Sequence, residues 1–239
     1  MSAWSFALGL AAGGWAFAGQ LPPIPRYDAG RAGSKIVVDG RLDEPAWKPA
    51  SAVELQFPWK QQTGPMQKTT VRLLWDNEFL YAGFDAQDRD ILAHLDRRDD
   101  LTYQDDCVEV FINPDPAQSY YYGIEINAKG TFLDYFYAYP TTFIRHLDFV
   151  GIQVATHVRG TMNQTGDLDD GWTTEAAIPW RNFDEVARKL PPAVGTLWKI
   201  NFNRWDGAEP RRRFSVWSDT GRPNPDPHNP ARFGEVYFR

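Results

Sequence analysis

Five polar side chains could together hydrogen-bond a ligand rich in hydroxyl groups. Glu109, Glu125, Asn201 and Asn203 lie in segments of alternating polarity, so strands there would place them opposite apolar neighbours. Carboxylates accept strong hydrogen bonds from hydroxyls, amides both accept and donate, and Arg204 can donate. If the strands are neighbours, their polar faces form one binding surface. The alternative is an ordinary solvated sheet face, which composition alone favours.

A flat aromatic side chain is the second requirement for binding a sugar ring, because one side of the ring presents only C–H groups. Tyr103 could supply such a face, and so could Trp205 or Trp217 near the end of the chain. For each tryptophan, packing in the core is the stronger interpretation.

Other chemistries find less support in the sequence. Cys107 is the only cysteine, which excludes an intramolecular disulfide, and its strand-like context indicates a small buried side chain rather than a nucleophile. Segment 167–171, DLDDG, is acidic but lacks the full calcium-loop pattern with its closing glutamate. The histidines show no zinc-ligand spacing: His94, His146, His157 and His228.

Short apolar or alternating runs separated by turns predict an all-β protein, an antiparallel, jelly-roll-like β-sandwich of about ten strands. Residues 69–75 and 78–85 are predicted to form one hairpin, and residues 120–127 and 131–137 a second. One short helix is expected between Trp180 and Leu190. Further strands are expected at 107–113, 152–159, 172–178, 197–203, 213–217 and 234–238.

Length, charge and the N-terminal pattern limit the organisation and the partners. The 239 residues fit a signal peptide at 1–18, a proline-rich linker at 19–35 and one domain at 36–239. The apolar 1–18 stretch is too short for an integral membrane span, so export to the periplasm, the cell surface or the medium is expected. A net charge of -6 without a basic stripe argues against nucleic acid.

Five motifs in order resemble the family 9 carbohydrate-binding modules and their DOMON-like relatives. They are residues 37–47 (VVDGRLDEPAW), 71–88 (VRLLWDNEFLYAGFDAQD), 104–113 (QDDCVEVFIN), 171–180 (GWTTEAAIPW) and 217–236 (WSDTGRPNPDPHNPARFGEV). Each motif alone is weak, but the series is specific for the fold and much less so for the ligand. The resemblance implies that the chain binds a sugar without transforming it.

The resemblance also implies which positions meet the ligand. In the family's sugar binders two tryptophans enclose a terminal ring, and polar groups bind its hydroxyls. The first stacking position corresponds to Tyr103, the acidic positions to Asp106 and Glu109, and the amide positions to Asn201 and a loop site near Asn224.

Two positions depart from that pattern. The second stacking position falls at or beside Pro227, where no tryptophan stands, and the family's arginine falls near Glu125. These departures argue against a two-sided enclosure of the ring and leave the fold assignment intact. The complete set of expected ligand-binding residues is Tyr103, Asp106, Glu109, Glu125, Asn201, Asn203, Arg204, Trp217 and Asn224.

The expected function is non-catalytic binding of a plant-type poly- or oligosaccharide, assisting polysaccharide degradation or uptake beside a separate glycoside hydrolase or surface complex. The alternatives are a DOMON-like scaffold without sugar affinity and, less favoured, a glycoside hydrolase that pairs Glu109 with Glu125 or Asp134. No cofactor is predicted with certainty, and a structural calcium near the aspartate-rich turns is one expectation. Haem is disfavoured because Met66 and Met162 lie in polar, loop-like segments.

Overall fold

The computed structural model describes residues 21–145 and 147–239, and this part of the chain is all-β. It contains thirteen strands and three short 3₁₀ turns, at Thr102–Gln104, Trp180–Phe183 and Pro230–Arg232. The strands are β1 (Arg26–Arg31), β2 (Val53–Glu54), β3 (Thr69–Trp75), β4 (Phe79–Ala86), β5 (Cys107–Asn113), β6 (Tyr120–Asn127), β7 (Phe132–Ala138), β8 (Thr142–Ile144), β9 (Gln153–Arg159), β10 (Gly171–Pro179), β11 (Leu197–Asp206), β12 (Arg213–Val216) and β13 (Gly234–Phe238).

The strands form one curled sheet in the order β8-β7-β6-β5-β11-β13-β1-β3-β4-β10-β9. Strand β12 pairs with β11, and β2 pairs with β3, beside this path. β1 runs parallel to both of its neighbours, β13 and β3, and the other strand pairs are antiparallel. β1 therefore joins two arms, one from β8 to β13 and one from β3 to β9.

The main core lies between the two arms. Val108, Val110 and Ile112 of β5 belong to the same buried cluster as residues of β3, β4 and β10. The rings of Phe84 in β4 and Phe202 in β11 meet edge-to-face at 6.0 Å. The predicted division of β5 into an apolar core face and an opposite face with Glu109 is therefore confirmed.

Both predicted hairpins are confirmed, as β3–β4 and β6–β7. The expected helix after Pro179 is instead a four-residue 3₁₀ turn, Trp180–Phe183. No helix in residues 21–145 and 147–239 combines the length and apolar character needed to cross a membrane.

The N-terminal segment differs most from the sequence expectation. Residues 26–31, expected to belong to a linker, form β1, and Tyr27 and Ala29 point into the core. The charged residues in this strand hide its alternation, and parallel pairing leaves no hairpin signal in the sequence. The proposed signal peptide at 1–18 lies outside the described residues.

Candidate functional site

A recess of about 230 Å³ opens on the face of β5, β6 and β11 that points away from the core. It is lined by Tyr103, Glu109, Glu125, Leu133, Phe143, Arg145, Trp205, Pro227 and His228. Larger clefts of about 430 and 520 Å³ lie elsewhere on the described surface. Of these three cavities, only the recess combines two buried carboxylates with several aromatic walls.

The floor of the recess is acidic because strand register brings two glutamates together. Glu109 of β5 lies directly opposite Glu125 of β6 and, on its other side, opposite Asn203 of β11. The two glutamates, which we call the acidic floor, are only 1% and 5% exposed. The Asn203 Nδ2 atom donates a hydrogen bond of 3.2 Å to Glu109 Oε2 and so fixes one carboxylate.

Burial and mutual repulsion make this floor an unusual place for two negative charges. Burial, followed by repulsion from Glu125, raises the pKa of Glu109 well above its ordinary value. Burial also raises the pKa of Glu125 to about 7, although the Tyr135 hydroxyl and then Arg145 and Arg212 lower it in part.

The floor also holds polar atoms without protein partners. Glu125 Oε2 and Asn203 Oδ1 are buried and accept no hydrogen bond within the described part of the chain. No ion pair within 4 Å involves Glu109 or Glu125 there. Buried polar atoms are normally satisfied, so a polar ligand or ordered water is the partner we expect.

Aromatic side chains from three separate elements form the walls. Tyr103 comes from the 3₁₀ turn before β5, Trp205 from the end of β11 and Phe143 from the edge strand β8. The Trp205 ring packs 4.2 Å from Phe214, which restrains its orientation. Phe143 lies 4.4 Å from the ring of Tyr135 and remains 39% exposed.

His228 closes the recess beside Pro227, where the second stacking tryptophan is missing. Its ring is stacked on Phe111 at 5.5 Å and 9°, and its Nδ1 atom is hydrogen-bonded to the Tyr121 hydroxyl. Burial lowers the pKa of His228, which favours the neutral ring at neutral pH. Trp205 and Phe143 line the same recess.

The sequence interpretation missed Phe143 and Arg145 entirely. Both belong to a short exposed segment, β8 and its flank, whose only signal is an aromatic residue within a polar stretch. Arg145 stands 5.4 Å over the Phe143 ring at the mouth of the recess.

Asp106 and Arg204, both expected at the site, lie elsewhere. Arg204 is opposite Val108, so strand alternation turns it to the core side rather than toward Glu109. Its Nη2 atom lies 2.9 Å from Asp88 and 3.0 Å from Asp206 in a fully buried ion-pair network. Asp106 belongs to the same cluster, and its carboxylate accepts backbone N–H bonds. This corrects the expectation that both residues line the ligand site.

Asn201, Trp217 and Asn224 are also placed outside the recess. Asn201 binds the backbone of Ser218 through both ends of its amide, at 3.2 and 2.9 Å, and so fixes the end of β12. Trp217 is 6% exposed and packs in the core 5.3 Å from the Phe202 ring. Asn224 lies on an exposed loop that does not line the recess. Of the expected ligand-binding residues, the recess therefore brings together Tyr103, Glu109 and Glu125, and Asn203 lies behind them.

The carboxylates of the Asp88, Asp106 and Asp206 cluster and of Asp169 are already engaged by protein donors. Asp88, Asp106 and Asp206 form the most buried cluster of carboxylates in the described residues. Each of their six oxygens already accepts a hydrogen bond, and Arg204 and Arg213 supply the positive charge. Near the expected turn, both oxygens of Asp169 accept backbone N–H groups. Calcium needs six to eight available oxygens, which these residues do not offer.

Known proteins share this fold. A Bacteroides uniformis protein superimposes with a TM-score of 0.76 and 18% identity, over 91% of this chain and all of that one. A family 9 carbohydrate-binding module from Caldicellulosiruptor kristjanssonii, solved with cellotriose, gives a TM-score of 0.64 and 18% identity over 90% of this chain and 93% of that one.

The sequence relatives are much larger proteins, and this chain matches only a small part of each. The chain is 24% identical to endo-1,4-beta-xylanase A of Thermoanaerobacterium saccharolyticum over 77% of its own length and 14% of the relative's. It is 24% identical to exoglucanase XynX of Acetivibrio thermocellus over 60% of its length and 11% of that protein's. The family model described as carbohydrate family 9 binding domain-like matches residues 38–239. This chain therefore belongs to the carbohydrate family 9 binding domain-like family.

Proposed function

We propose that the recess binds a sugar residue of a plant-type poly- or oligosaccharide without cleaving it. The observation that carries this proposal is the union of Tyr103 and Trp205 as aromatic walls with the acidic floor in one cavity of about 230 Å³. A pyranose ring needs an apolar plate for its C–H face and convergent acceptors for its hydroxyls. The structural relative solved with cellotriose and the relatives named as xylanase and exoglucanase support the same ligand class.

Binding rather than hydrolysis agrees with where the carboxylates lie. A glycosidase places its two carboxyl groups on opposite sides of the bond that it cleaves. Glu109 and Glu125 are neighbours on one buried floor, so a bound sugar has both on the same side. Asp134, the other considered partner, is engaged by Arg98 and by the backbone N–H of Phe149.

The wider role that we propose is export followed by support of polysaccharide degradation or uptake. Segment 1–18 has the character of a signal peptide, and a separate glycoside hydrolase or surface complex would be the functional partner. We propose that the two arms of the sheet form the jelly-roll-like sandwich of such modules, which would present the recess on one outer face.

Tryptophan fluorescence tests the proposal, because Trp205 lines the recess. Cello- and xylo-oligosaccharides should change the emission with a dissociation constant of about 10 micromolar to about 1 millimolar, as expected for ligands of this size with incomplete stacking. Tyr103→Ala should weaken binding about tenfold or more, as the loss of an aromatic contact predicts. Tyr237→Ala, at a half-buried tyrosine on distant β13, is the matched control.

Two results would contradict the proposal. If a broad panel of glycans leaves the emission unchanged, the chain is better explained as a scaffold that binds another partner. If Tyr103→Ala and Tyr237→Ala weaken binding equally, the sugar binds outside the recess.

A further inference from the structure

The two carboxylates of the acidic floor repel each other, and a neutral sugar would relieve this repulsion only in part. Glu109 and Glu125 face each other across adjacent strands, almost fully buried, and neither has a basic partner within 4 Å among the described residues. Two ionised carboxylates held this close repel each other, and the repulsion is strong where water is excluded. A proton or a bound cation between them would relieve it.

The basic groups nearby are directed elsewhere. Arg212 uses its Nη2 atom to bind the backbone carbonyls of Tyr103 and Asp105, and its guanidinium lies 4.7 Å over the Trp205 ring. Arg145 is exposed at the mouth, over Phe143. The other titratable groups near the floor stay neutral, because burial favours their uncharged forms. Burial raises the pKa of Cys107, Tyr121 and Tyr135, and it lowers the pKa of His228.

The walls above the floor suit a cation as well. Tyr103, Phe143 and Trp205 present aromatic rings to the same small volume, and aromatic faces attract ammonium groups. Glu125 Oε2 is buried and accepts no hydrogen bond of normal geometry in the described chain, although the Tyr135 hydroxyl is near enough to lower the pKa of Glu125. A sugar ring that carries an ammonium group satisfies the aromatic walls with its C–H face and the acidic floor with its charge.

We infer that the recess selects a sugar bearing a free, protonated amine, such as a glucosamine unit, over the corresponding neutral sugar. The inference rests on the proposed function, because the same recess binds the sugar without cleaving it, and it extends the ligand class from neutral plant-type sugars to amino sugars. The ammonium group would lie toward Glu109 and Glu125, where charge-assisted hydrogen bonds to carboxylates are roughly twice as strong as those from hydroxyls.

Isothermal titration calorimetry on the full chain tests this inference with three matched probes: the disaccharides of glucosamine, of glucose and of N-acetylglucosamine. Near neutral pH, the glucosamine disaccharide should bind about tenfold more tightly than the glucose disaccharide, the scale by which a charge-assisted hydrogen bond to a carboxylate exceeds a neutral one. The N-acetylglucosamine disaccharide should lose the advantage, since its amide is neutral. Added salt should weaken the binding of the charged disaccharide and leave the binding of the two neutral ones unchanged.

A double variant, Glu109→Gln with Glu125→Gln, should bring the ratio of the two affinities close to one. Glu54→Gln, which changes an exposed glutamate paired with Lys68, should leave the ratio as in the wild type. The salt response of the wild type tests the inference independently, should the double variant fail to fold.

Equal binding of the charged and neutral disaccharides by the wild type would overturn the inference and leave the proposed function standing. A preference that survives in the folded double variant would also overturn it. Absence of binding by all three sugars would also overturn the inference, and the broader glycan panel then decides whether the proposed function stands.

Discussion

Glu125 shows how one buried side chain makes the site sensitive to pH. Its folded-state pKa of about 7 lies above the ordinary glutamate value of 4.5, chiefly because burial disfavours the charged form. The folded chain therefore holds this proton more tightly than the unfolded chain does. The contribution to stability is full at pH values below the ordinary pKa and is lost as pH rises toward about 7.

Glu125→Gln should remove this pH-dependent loss of stability. Above pH 7 the variant should be more stable than the wild type by as much as about 3 kcal/mol, the free energy of a shift from 4.5 to about 7. Below the ordinary pKa the two proteins should be nearly equal. Urea denaturation at acid and at mildly alkaline pH measures the difference, with Glu54→Gln as control; a variant less stable than the wild type at alkaline pH would contradict the account.

At the same scale, the sequence predicted part of the site. Alternation placed Glu109, Asn201 and Asn203 on one face correctly, but only Asn203 reaches Glu109, because Asn201 is turned to the backbone of Ser218. The assignment of Arg204 to the ligand was wrong, since its position directly after Asn203 in β11 turns it toward the core. Which buried charges pair with each other depends on contacts distant in sequence, such as Arg204 with Asp88.

At the scale of elements, β1 connects the two arms. Tyr27 from this strand donates to the Ser51 carbonyl at 2.6 Å and accepts from the Leu73 N–H at 3.0 Å, so one hydroxyl joins β1 to β3 and to the segment before β2. The sequence did not predict β1, because its parallel partners β13 and β3 lie far along the chain. The antiparallel hairpins were predictable, since their turns are local.

Tyr27→Phe should destabilise the fold by about 1–3 kcal/mol, because it leaves a buried backbone N–H and a carbonyl without their partner. Tyr237→Phe, whose hydroxyl makes only a half-buried contact with Glu235, should change stability by less than about 0.5 kcal/mol. Thermal and chemical denaturation compare the two variants. Equal effects would show that the Tyr27 hydroxyl does not stabilise the junction.

At the scale of the molecule, the recess exists only because distant parts of the chain meet. Its floor comes from β5 and β6, and its walls come from a 3₁₀ turn, the edge strand β8, the end of β11 and the loop at Pro227. The order of motifs allowed the family fold to be predicted, as the match over residues 38–239 confirms. Phe143 and Arg145 could not be predicted, because β8 carries almost no pattern and reaches the site only through its pairing with β7.

The indole N–H signals of the tryptophans provide the most direct test that a sugar occupies the recess. Trp47, Trp59, Trp75 and Trp180 donate these N–H groups to protein acceptors, so their signals should stay in place. In a titration followed by ¹H–¹⁵N NMR, cellotriose or a glucosamine trimer should shift the Trp205 signal most. A saturable shift of other indoles that leaves Trp205 unchanged would place the ligand elsewhere and contradict the account.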